Sequence, residues 1–305
     1  MNIAAFNLDY SPVTASGFVN TRSTRNSAGS IEACNPIGTI ANGSTCVSGS
    51  ATIRTTCTTD SVLEVRGLGY HYGDSSRGKA ALNQVDFALQ PGQFHVLLGP
   101  NGAGKSTLFA LLTRLLVAQS GSIELFGRDL VKSPANVLAD IGVVFQQSTL
   151  DLDLTVEQNL IYQGSLHGLS PALVRERMAI ESARFGLSER LKDRVRQLNG
   201  GHRRRLEIVR ALLHEPCLLL LDEPTSGLDL DSRQYLNERV RQLCRERGLC
   251  VLWATHLMEE VQDPDDVILL HEGRITVQGR CRKLCYHFGC HTITEVFRQL
   301  TGGDL

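Results

Sequence analysis

The segment GPNGAGKST at 99–107 has the residue types and spacing of a phosphate-binding loop. It matches the pattern Gly-x-x-x-x-Gly-Lys-[Ser/Thr], in which glycines let backbone N–H groups turn toward phosphate oxygens. In such a loop Lys105 reaches the β- and γ-phosphates, and the Ser106 hydroxyl can ligate Mg²⁺. The segment predicts a nucleotide site. The residues assigned to it are Gly99, Pro100, Asn101, Gly102, Ala103, Gly104, Lys105, Ser106 and Thr107.

Two neighbouring carboxylates, Asp222 and Glu223, follow four leucines in the segment CLLLLDEP at 217–224. A buried strand would deliver them at its carboxyl end, which is where open α/β sheets bind ligands. There Asp222 can hold Mg²⁺ through water, and Glu223 can polarise an attacking water. The alternative, two solvated acids in a turn, is disfavoured beside a phosphate-binding loop. The pair therefore predicts nucleotide hydrolysis.

Alternating strands and helices are predicted from residue 62 onward, and these elements must position the loop and the carboxylates. The predicted strands are 62–68, 94–99, 121–127, 141–145, 217–222, 250–255 and 266–271. The predicted helices are 106–116, 156–169, 171–187, 203–213 and 232–248. This alternation indicates an α/β fold with a largely parallel sheet covered on both faces. The helix-only block at about 154–200 interrupts it and indicates a helical insert.

Residues 62–280 resemble an ATP-binding cassette (ABC) ATPase subunit, because several further motifs follow in the order found in that family. LNGGH (198–202) resembles the signature LSGGQ, and SGLD (226–229) resembles the D-loop. Single residues at family positions are Gln146 in VVFQQ, His256 in WATHL and Tyr72 in HYG. The resemblance implies a P-loop NTPase (RecA-like) core with a parallel sheet, an antiparallel β subdomain and a helical subdomain at about 150–205.

The resemblance also implies site roles and cofactors, namely ATP and Mg²⁺. Gln146 and His256 would join Glu223 as catalytic residues, with His256 near the γ-phosphate. Tyr72 would stack on adenine. The implied metal ligands are Ser106, Gln146 and Asp222. The implied signature contacts are Asn199, Gly200 and Gly201, which the family places over the γ-phosphate bound by a second subunit.

The signature departs from the family pattern at two positions. Asn199 stands where the family has serine, and His202 where it has glutamine. Asparagine keeps a side-chain donor for a phosphate oxygen, and the two glycines keep close backbone approach. We expect a working signature with an altered affinity or rate. A non-hydrolysing regulatory subunit is disfavoured, because Glu223, Gln146 and His256 are all present.

Composition limits the remaining function classes. The 305 residues carry a formal charge of −1, and a general nucleic-acid binder would usually be basic. The chain has no run of about 18 apolar residues that would span a membrane. The nine cysteines are irregularly spaced, which is typical of reduced thiols in a cytoplasmic protein. We therefore expect no nucleic-acid partner.

The resemblance assigns the chain to a multi-subunit ABC membrane transporter, which it would energise by ATP hydrolysis. Its expected partners are a transmembrane permease on a separate chain and a second ATPase subunit, and its expected location is the cytoplasm, peripheral on the inner face of the membrane. TITEVFRQLTG, near the C-terminus, resembles ATPase subunits of ABC-2-type exporters, including drug-resistance and nodulation exporters. The alternative is a soluble ABC protein of translation or DNA maintenance. Such proteins usually carry two cassettes or a long coiled coil, and neither is recognisable.

Three segments are predicted along the chain. Residues 1–60 are rich in Ser, Thr, Asn, Ala and Gly and are expected to be a disordered tail or a mis-assigned start. Residues 61–280 form the ABC ATPase domain, and residues 281–305 form a C-terminal extension with a short helix. CRKLCYHFGCH (281–291) clusters cysteines and histidines, but its spacing matches no standard zinc pattern, so ordinary thiols are favoured.

Overall fold

Runs of Leu, Val and Ile form two sheets in the computed structural model, which describes residues 6–7, 61–73 and 80–302. The prediction for residues 1–60 lies outside the described residues, except for a two-residue strand at 6–7. The strands, in chain order, are β1 (Phe6–Asn7), β2 (Leu63–His71), β3 (Ala80–Leu89), β4 (Phe94–Leu98), β5 (Ser120–Leu125), β6 (Arg128–Asp129), β7 (Ile141–Val144), β8 (Leu218–Asp222), β9 (Cys250–Thr255), β10 (Asp266–His271) and β11 (Arg274–Arg280).

Eight α-helices connect or cover these strands in the described chain. They are α1 (Lys105–Leu112), α2 (Pro134–Leu138), α3 (Val156–Leu166), α4 (Pro171–Arg184), α5 (Gly200–Leu212), α6 (Leu230–Arg247), α7 (Cys281–Phe288) and α8 (Ile293–Thr301). Short 3₁₀ helices occupy Ser188–Arg190, Val195–Gln197 and Met258–Glu260. None of the helices in residues 61–73 and 80–302 is long and apolar enough to cross a membrane.

The larger sheet has the strand order β1-β11-β10-β4-β9-β8-β7. Neighbouring strands from β10 to β7 are parallel, whereas β11 is antiparallel to β10. Side chains of β8 alternate between two apolar clusters, with Leu219 and Leu221 on one face and Leu218 and Leu220 on the other. Both faces of the sheet are therefore buried, which confirms the predicted α/β fold with a largely parallel sheet.

The smaller sheet is antiparallel and has the order β3-β2-β5-β6. It contains the strands predicted at 62–68 and 121–127, so these do not belong to the parallel sheet. The antiparallel β subdomain that the family resemblance implied is confirmed. β3 and β11 were not predicted from the sequence.

The helical insert consists of α3, α4 and the two 3₁₀ helices that follow them, and α5 leads back to the sheet. α3 begins with a capping box, in which Thr155 Oγ1 accepts from Gln158 N at 3.1 Å and Gln158 Oε1 accepts from Thr155 N at 2.9 Å. Val156, Leu160 and Phe185 of this block are buried in the same apolar cluster as one face of the larger sheet. The insert is thus tied to the ATPase core by shared packing.

The C-terminal extension contains two helices, where the sequence predicted one short helix. α7 begins directly at the end of β11, and Leu284 on it is fully buried. α8 contributes Val296 and Phe297 to the same cluster. The extension is part of the core packing of the domain.

We expect residues 1–59 to be dispensable for stability and nucleotide chemistry, because their composition is typical of a segment outside the core and β1 adds two residues at the edge of the larger sheet. A chain that begins at Asp60 keeps Val62, whose N–H donates to Leu89 O at 2.8 Å. Its melting temperature and ATPase rate should equal those of the full chain. A fall in melting temperature of more than about 5 °C, close to 2 kcal/mol for a domain of this size, would contradict this prediction.

Candidate functional site

The phosphate-binding loop joins β4 to α1, as the sequence predicted. Gly104 has φ +110°, and a Cβ there would lie 2.6 Å from Ala81 O, so only glycine fits this position. Gly99 N donates to Thr255 O at 3.3 Å, which ties the loop to the end of β9. The loop therefore opens onto the N-terminus of α1, where unpaired backbone N–H groups favour an anion.

Lys105 lies at the centre of this loop with its side chain buried. Its Nζ donates to Gly99 O at 2.7 Å and to Pro100 O at 3.2 Å. The same atom is 3.3 Å from Glu223 Oε1. A buried cation is thus held between the loop carbonyls and the carboxylate predicted to act as base.

Glu223 is the point at which the predicted catalytic residues meet. Its Oε1 is 3.2 Å from His256 Nδ1, and its Oε2 accepts from Gln146 Nε2 at 3.3 Å. Its backbone has φ +46°, a left-handed conformation that is unfavourable for glutamate and is typical of functional sites. The Glu223 N–H donates to Ala254 O at 3.0 Å, which fixes this turn beside β9.

Asp222 is buried at the end of β8 and interacts with the Ser106 hydroxyl. Burial raises the pKa of its carboxyl above the ordinary range, while the hydrogen bond from Ser106 acts in the opposite direction. Asp222 Oδ1 is buried without a hydrogen-bond partner among the described residues. An unpaired buried carboxylate oxygen beside a hydroxyl suits a hard cation such as Mg²⁺, so these residues fit the implied metal.

A pocket of about 550 Å³ lies over the loop. Its described lining is Tyr72, Ala80, Ala81, Asn101, Gly102, Gly104, Lys105, Ser106, Thr107, Gln146, Glu223, Glu272 and Gly273. The structure thus brings Lys105, Ser106, Gln146 and Glu223, four of the residues predicted from the sequence, to one cavity.

Tyr72 lies at the rim of the pocket and is 56% exposed. Its hydroxyl is 3.3 Å from Thr107 Oγ1, and its ring contacts Tyr70 edge-on with centroids 5.0 Å apart. The backbone of His71, the residue before Tyr72, is held by the Gln119 side chain, which accepts from His71 N at 2.7 Å and donates to His71 O at 3.0 Å. An aromatic face is therefore presented beside the loop.

The signature residues are not brought to this pocket. Asn199 caps the N-terminus of α5, where its Oδ1 accepts from His202 N at 2.8 Å and lies 2.7 Å from His202 Nδ1. Burial lowers the pKa of His202, and the positive charges of Arg205 and Arg190 act in the same direction. Neither Asn199 nor the two following glycines is among the described residues that line the pocket.

Arg204 is a site residue that the sequence analysis did not single out, because it lies in the run His-Arg-Arg-Arg at 202–205, and a run of charges at the start of a helix is typical of a solvated face or an interface. Its side chain is instead buried, and Nε donates to Pro224 O at 2.7 Å. Nη1 donates to Phe145 O at 2.7 Å, and Nη2 donates to Glu223 O at 3.1 Å. Arg204 therefore joins the signature helix to the loops that carry Gln146 and Glu223. The helical period could have indicated this burial, because Arg204 lies three residues after Gly201 and four residues before Ile208, which are both buried.

The cysteines of the C-terminal extension lie partly in the core. Burial raises the pKa of the Cys281 thiol to about 12, and the pKa of Cys285 is also raised. Within residues 61–73 and 80–302, no group of three or more His, Cys, Asp or Glu side chains is arranged to hold a metal ion. We predict that the purified protein contains no stoichiometric zinc, which elemental analysis would test.

Comparison with known proteins gives consistent results. Residues 82–226 match the family described as ABC transporter. The chain is 37% identical over 236 residues to the linearmycin resistance ATP-binding protein LnrL of Bacillus subtilis, covering 77% of this chain and 74% of that protein. It is 37% identical over 248 residues to Nod factor export ATP-binding protein I of Ralstonia nicotianae, covering 80% and 74%. A solved dimeric structure of MJ0796, a bacterial ABC transporter cassette, has a TM-score of 0.65 at 25% identity and covers 72% of this chain and 98% of that one.

Proposed function

The chain belongs to the ABC transporter family as an ATP-binding subunit with ATPase activity, and from this premise we propose how its residues work and what they assemble with. The observation that carries the proposal is the convergence of three side chains on Glu223. Lys105 Nζ, Gln146 Nε2 and His256 Nδ1 each lie within 3.3 Å of one of its carboxylate oxygens. The four residues belong to four separate sequence motifs, and none of these motifs alone predicts the contacts.

In the proposed mechanism ATP binds in the 550 Å³ pocket, with its phosphates at the loop and the N-terminus of α1. Lys105 exchanges its contact with Glu223 for the β- and γ-phosphates, which frees the carboxylate. Glu223 then orients and polarises the attacking water, and His256 holds the γ-phosphate side of the site. Tyr72 stacks on the adenine.

Mg²⁺ would be held by the Ser106 hydroxyl and Gln146, with Asp222 acting through water. Bound there, the ion supplies positive charge to the β- and γ-phosphate oxygens. The buried, unpaired Asp222 Oδ1 supports this assignment. Occupation by the cation would oppose the effect of burial and lower the pKa of Asp222 again.

We further propose that two ATPase subunits enclose the nucleotides between them. Asn199 caps α5, Asn199 and Gly200 are exposed, and neither these two nor Gly201 is among the described residues that line the pocket of their own chain. A second subunit would bring that helix end over the γ-phosphate. The similarity to a dimeric cassette supports this arrangement.

The proposed membrane partner is a permease on a separate chain, which would hold the subunit at the inner face of the membrane. α3 of the helical insert exposes Tyr162 and Leu166, which are four residues apart and therefore on one helix face. An exposed apolar face of this kind is typical of a protein contact. The names of the two relatives, one of linearmycin resistance and one of Nod factor export, support an exporter.

Co-purification tests the transporter assignment. Co-expressed with the membrane protein encoded by a neighbouring gene, the subunit should remain bound to it in detergent. Tyr162→Glu with Leu166→Glu should abolish that association and leave MgATP hydrolysis by the isolated subunit unchanged. Arg245→Glu, at an exposed site on α6, serves as the control and should leave both properties intact. A stable complex with the double variant would contradict the assigned docking face.

A further inference from the structure

Glu260 is a buried carboxylate that belongs to none of the family motifs described above. It ends the 3₁₀ helix Met258–Glu260, which begins two residues after His256. Its Oε2 accepts a hydrogen bond from Trp253 Nε1 at 2.9 Å, and its Oε1 accepts one from the Thr225 hydroxyl. Trp253 precedes His256 by three residues, and Thr225 follows Glu223 by two. One carboxylate therefore binds both segments that carry the catalytic pair.

The main chain of Glu260 is itself anchored to α6. Glu260 O accepts from Arg241 Nη2 at 2.9 Å and from Asn237 Nδ2 at 3.5 Å. Arg241 is held in turn by Asp265, through Nη2 at 2.7 Å, and its guanidinium lies 4.0 Å from the centre of the Phe94 ring. Glu260 is thus fixed to the core, so its carboxylate is a rigid anchor for Trp253 in β9 and for the turn that carries Thr225.

Thr225 and Trp253 are almost fully buried, at 1% and 0% exposure. Their hydroxyl and indole N–H groups need an acceptor, because an unpaired buried donor is destabilising. Glu260 satisfies both with a single side chain. Loss of the carboxylate would leave both donors unpaired and remove the side-chain link between Thr225 and Trp253, so that the turn after β8 would be held to β9 by backbone hydrogen bonds such as that from Glu223 N to Ala254 O.

We propose that Glu260 is a positioning residue for ATP hydrolysis, which sets the distance between Glu223 and His256 by holding Thr225 and Trp253 together. The proposal rests on the catalytic roles given to Glu223 and His256 under the proposed function. Glu260 lies outside the described lining of the nucleotide pocket, so it acts on the hydrolytic step and leaves ATP binding unchanged.

The first test compares Glu260→Leu with Glu260→Gln. Leucine removes both acceptors, whereas glutamine can accept from Trp253 with its oxygen and donate to Thr225 with its amide nitrogen. We expect kcat to fall about 10- to 100-fold in Glu260→Leu, as for a displaced catalytic group, with KM for ATP unchanged. Glu260→Gln should restore most of kcat. Glu259→Leu, at the exposed neighbouring residue, should match the wild type.

A second pair of variants keeps the test valid if Glu260→Leu fails to fold. Thr225→Val removes one hydroxyl from the network and preserves side-chain volume, and Thr225→Ser keeps the hydroxyl. We expect Thr225→Val to lower kcat about 10-fold at constant KM, and Thr225→Ser to restore it. If both residues act through one bond, Glu260→Leu with Thr225→Val should lose no more than Glu260→Leu alone.

Trp253 is the only tryptophan in the sequence, so its fluorescence reports on the network directly. Its emission should shift in Glu260→Leu and stay unchanged in Glu259→Leu. A merely structural role would lower the melting temperature and the active fraction while kcat per ATP-binding site stayed constant. Wild-type kcat in folded Thr225→Val, or equal loss in Glu260→Gln and Glu260→Leu, would overturn the proposal.

Glu223→Gln separates this inference from the proposed function. If Glu223→Gln turns over ATP normally, the assigned base is wrong and the proposed function fails first. If Glu223→Gln is inactive while the Glu260 and Thr225 variants hydrolyse ATP normally, the positioning role alone is wrong.

Discussion

A Glu223→Gln protein should bind MgATP with wild-type affinity and hydrolyse it about 10²- to 10⁴-fold more slowly, which is the contribution expected of a positioned general base. Glutamine keeps the size of the side chain and the contact with Gln146, but it cannot polarise the attacking water. Lys105 and the loop are unchanged, so the phosphate contacts survive. ATP should therefore hold two subunits together, and a nucleotide-dependent dimer should accumulate.

Phosphate release, ATP affinity and size-exclusion elution with and without ATP measure the three parts of this result. Glu238→Gln is the matched control, because its exposed carboxylate on α6 contacts Arg245 and not the site. Lys105→Ala should behave differently from Glu223→Gln, with weaker nucleotide binding because the phosphates lose a buried cation. Normal turnover by Glu223→Gln would show that another group activates the water.

The parts of the site that follow one another in sequence could be predicted because their chemistry is local. The loop at 99–107 needs glycine where the backbone has φ +110° at Gly104, and the lysine and hydroxyl follow at fixed spacing. Asp222 and Glu223 follow a strand whose four leucines are all buried. In these segments, residue type, backbone geometry and function are determined within ten residues.

The elements that were missed depend on contacts distant in sequence. β3 contains the polar residues Asn83 and Gln84, and Gln84 has φ +53°, so the regular alternation of β3 is confined to residues 85–89. It is stabilised by antiparallel pairing with β2, and this pairing cannot be predicted from the residues of β3 alone. The sequence analysis likewise predicted one helix in the C-terminal extension where there are two. It missed α7, because the burial of Leu284 on that helix depends on packing against the sheet.

The sequence analysis also missed two buried charged residues. Arg204 and Glu260 are charged residues in polar stretches of sequence, where exposure is the usual outcome. Arg204 is buried because it satisfies three carbonyls on two segments, and Glu260 because it satisfies two buried donors. Such partners lie in β9 or directly after β7 and β8, whose adjacency is known only from the fold.

The signature LNGGH should act on the nucleotide of the other subunit, and mixing two inactive variants should restore ATP hydrolysis. Lys105→Ala breaks the phosphate-binding loop, and Gly201→Asp places a carboxylate at the helix end that approaches phosphate. In each homodimer both sites are damaged. In a mixed dimer both lesions fall in one site, and the other site combines an intact Lys105 with an intact Gly201.

Mixed dimers isolated with two different affinity tags should recover about half of the wild-type activity, since one of the two symmetric sites is complete. Gly200→Asp provides a second signature variant, because a Cβ there meets nothing closer than Leu228 at 3.8 Å and leaves the fold undisturbed. A Cβ at Gly201 lies 2.9 Å from Ser232 Oγ, which would have to shift and disturb its hydrogen bond to Asp229 Oδ2 at 2.9 Å. Agreement between the two variants would exclude local misfolding as the cause of inactivity.

Hydrolysis can require both sites to be complete, so nucleotide trapping gives the decisive measurement. With Glu223→Gln added to both chains, the mixed dimer should retain about one labelled ATP, whereas each parent homodimer should retain none, because only the mixed dimer has a complete site. The separation of Asn199 and the signature glycines from the pocket of their own chain is the structural reason to expect this. If mixed dimers form but trap no ATP, the signature does not act across the two subunits.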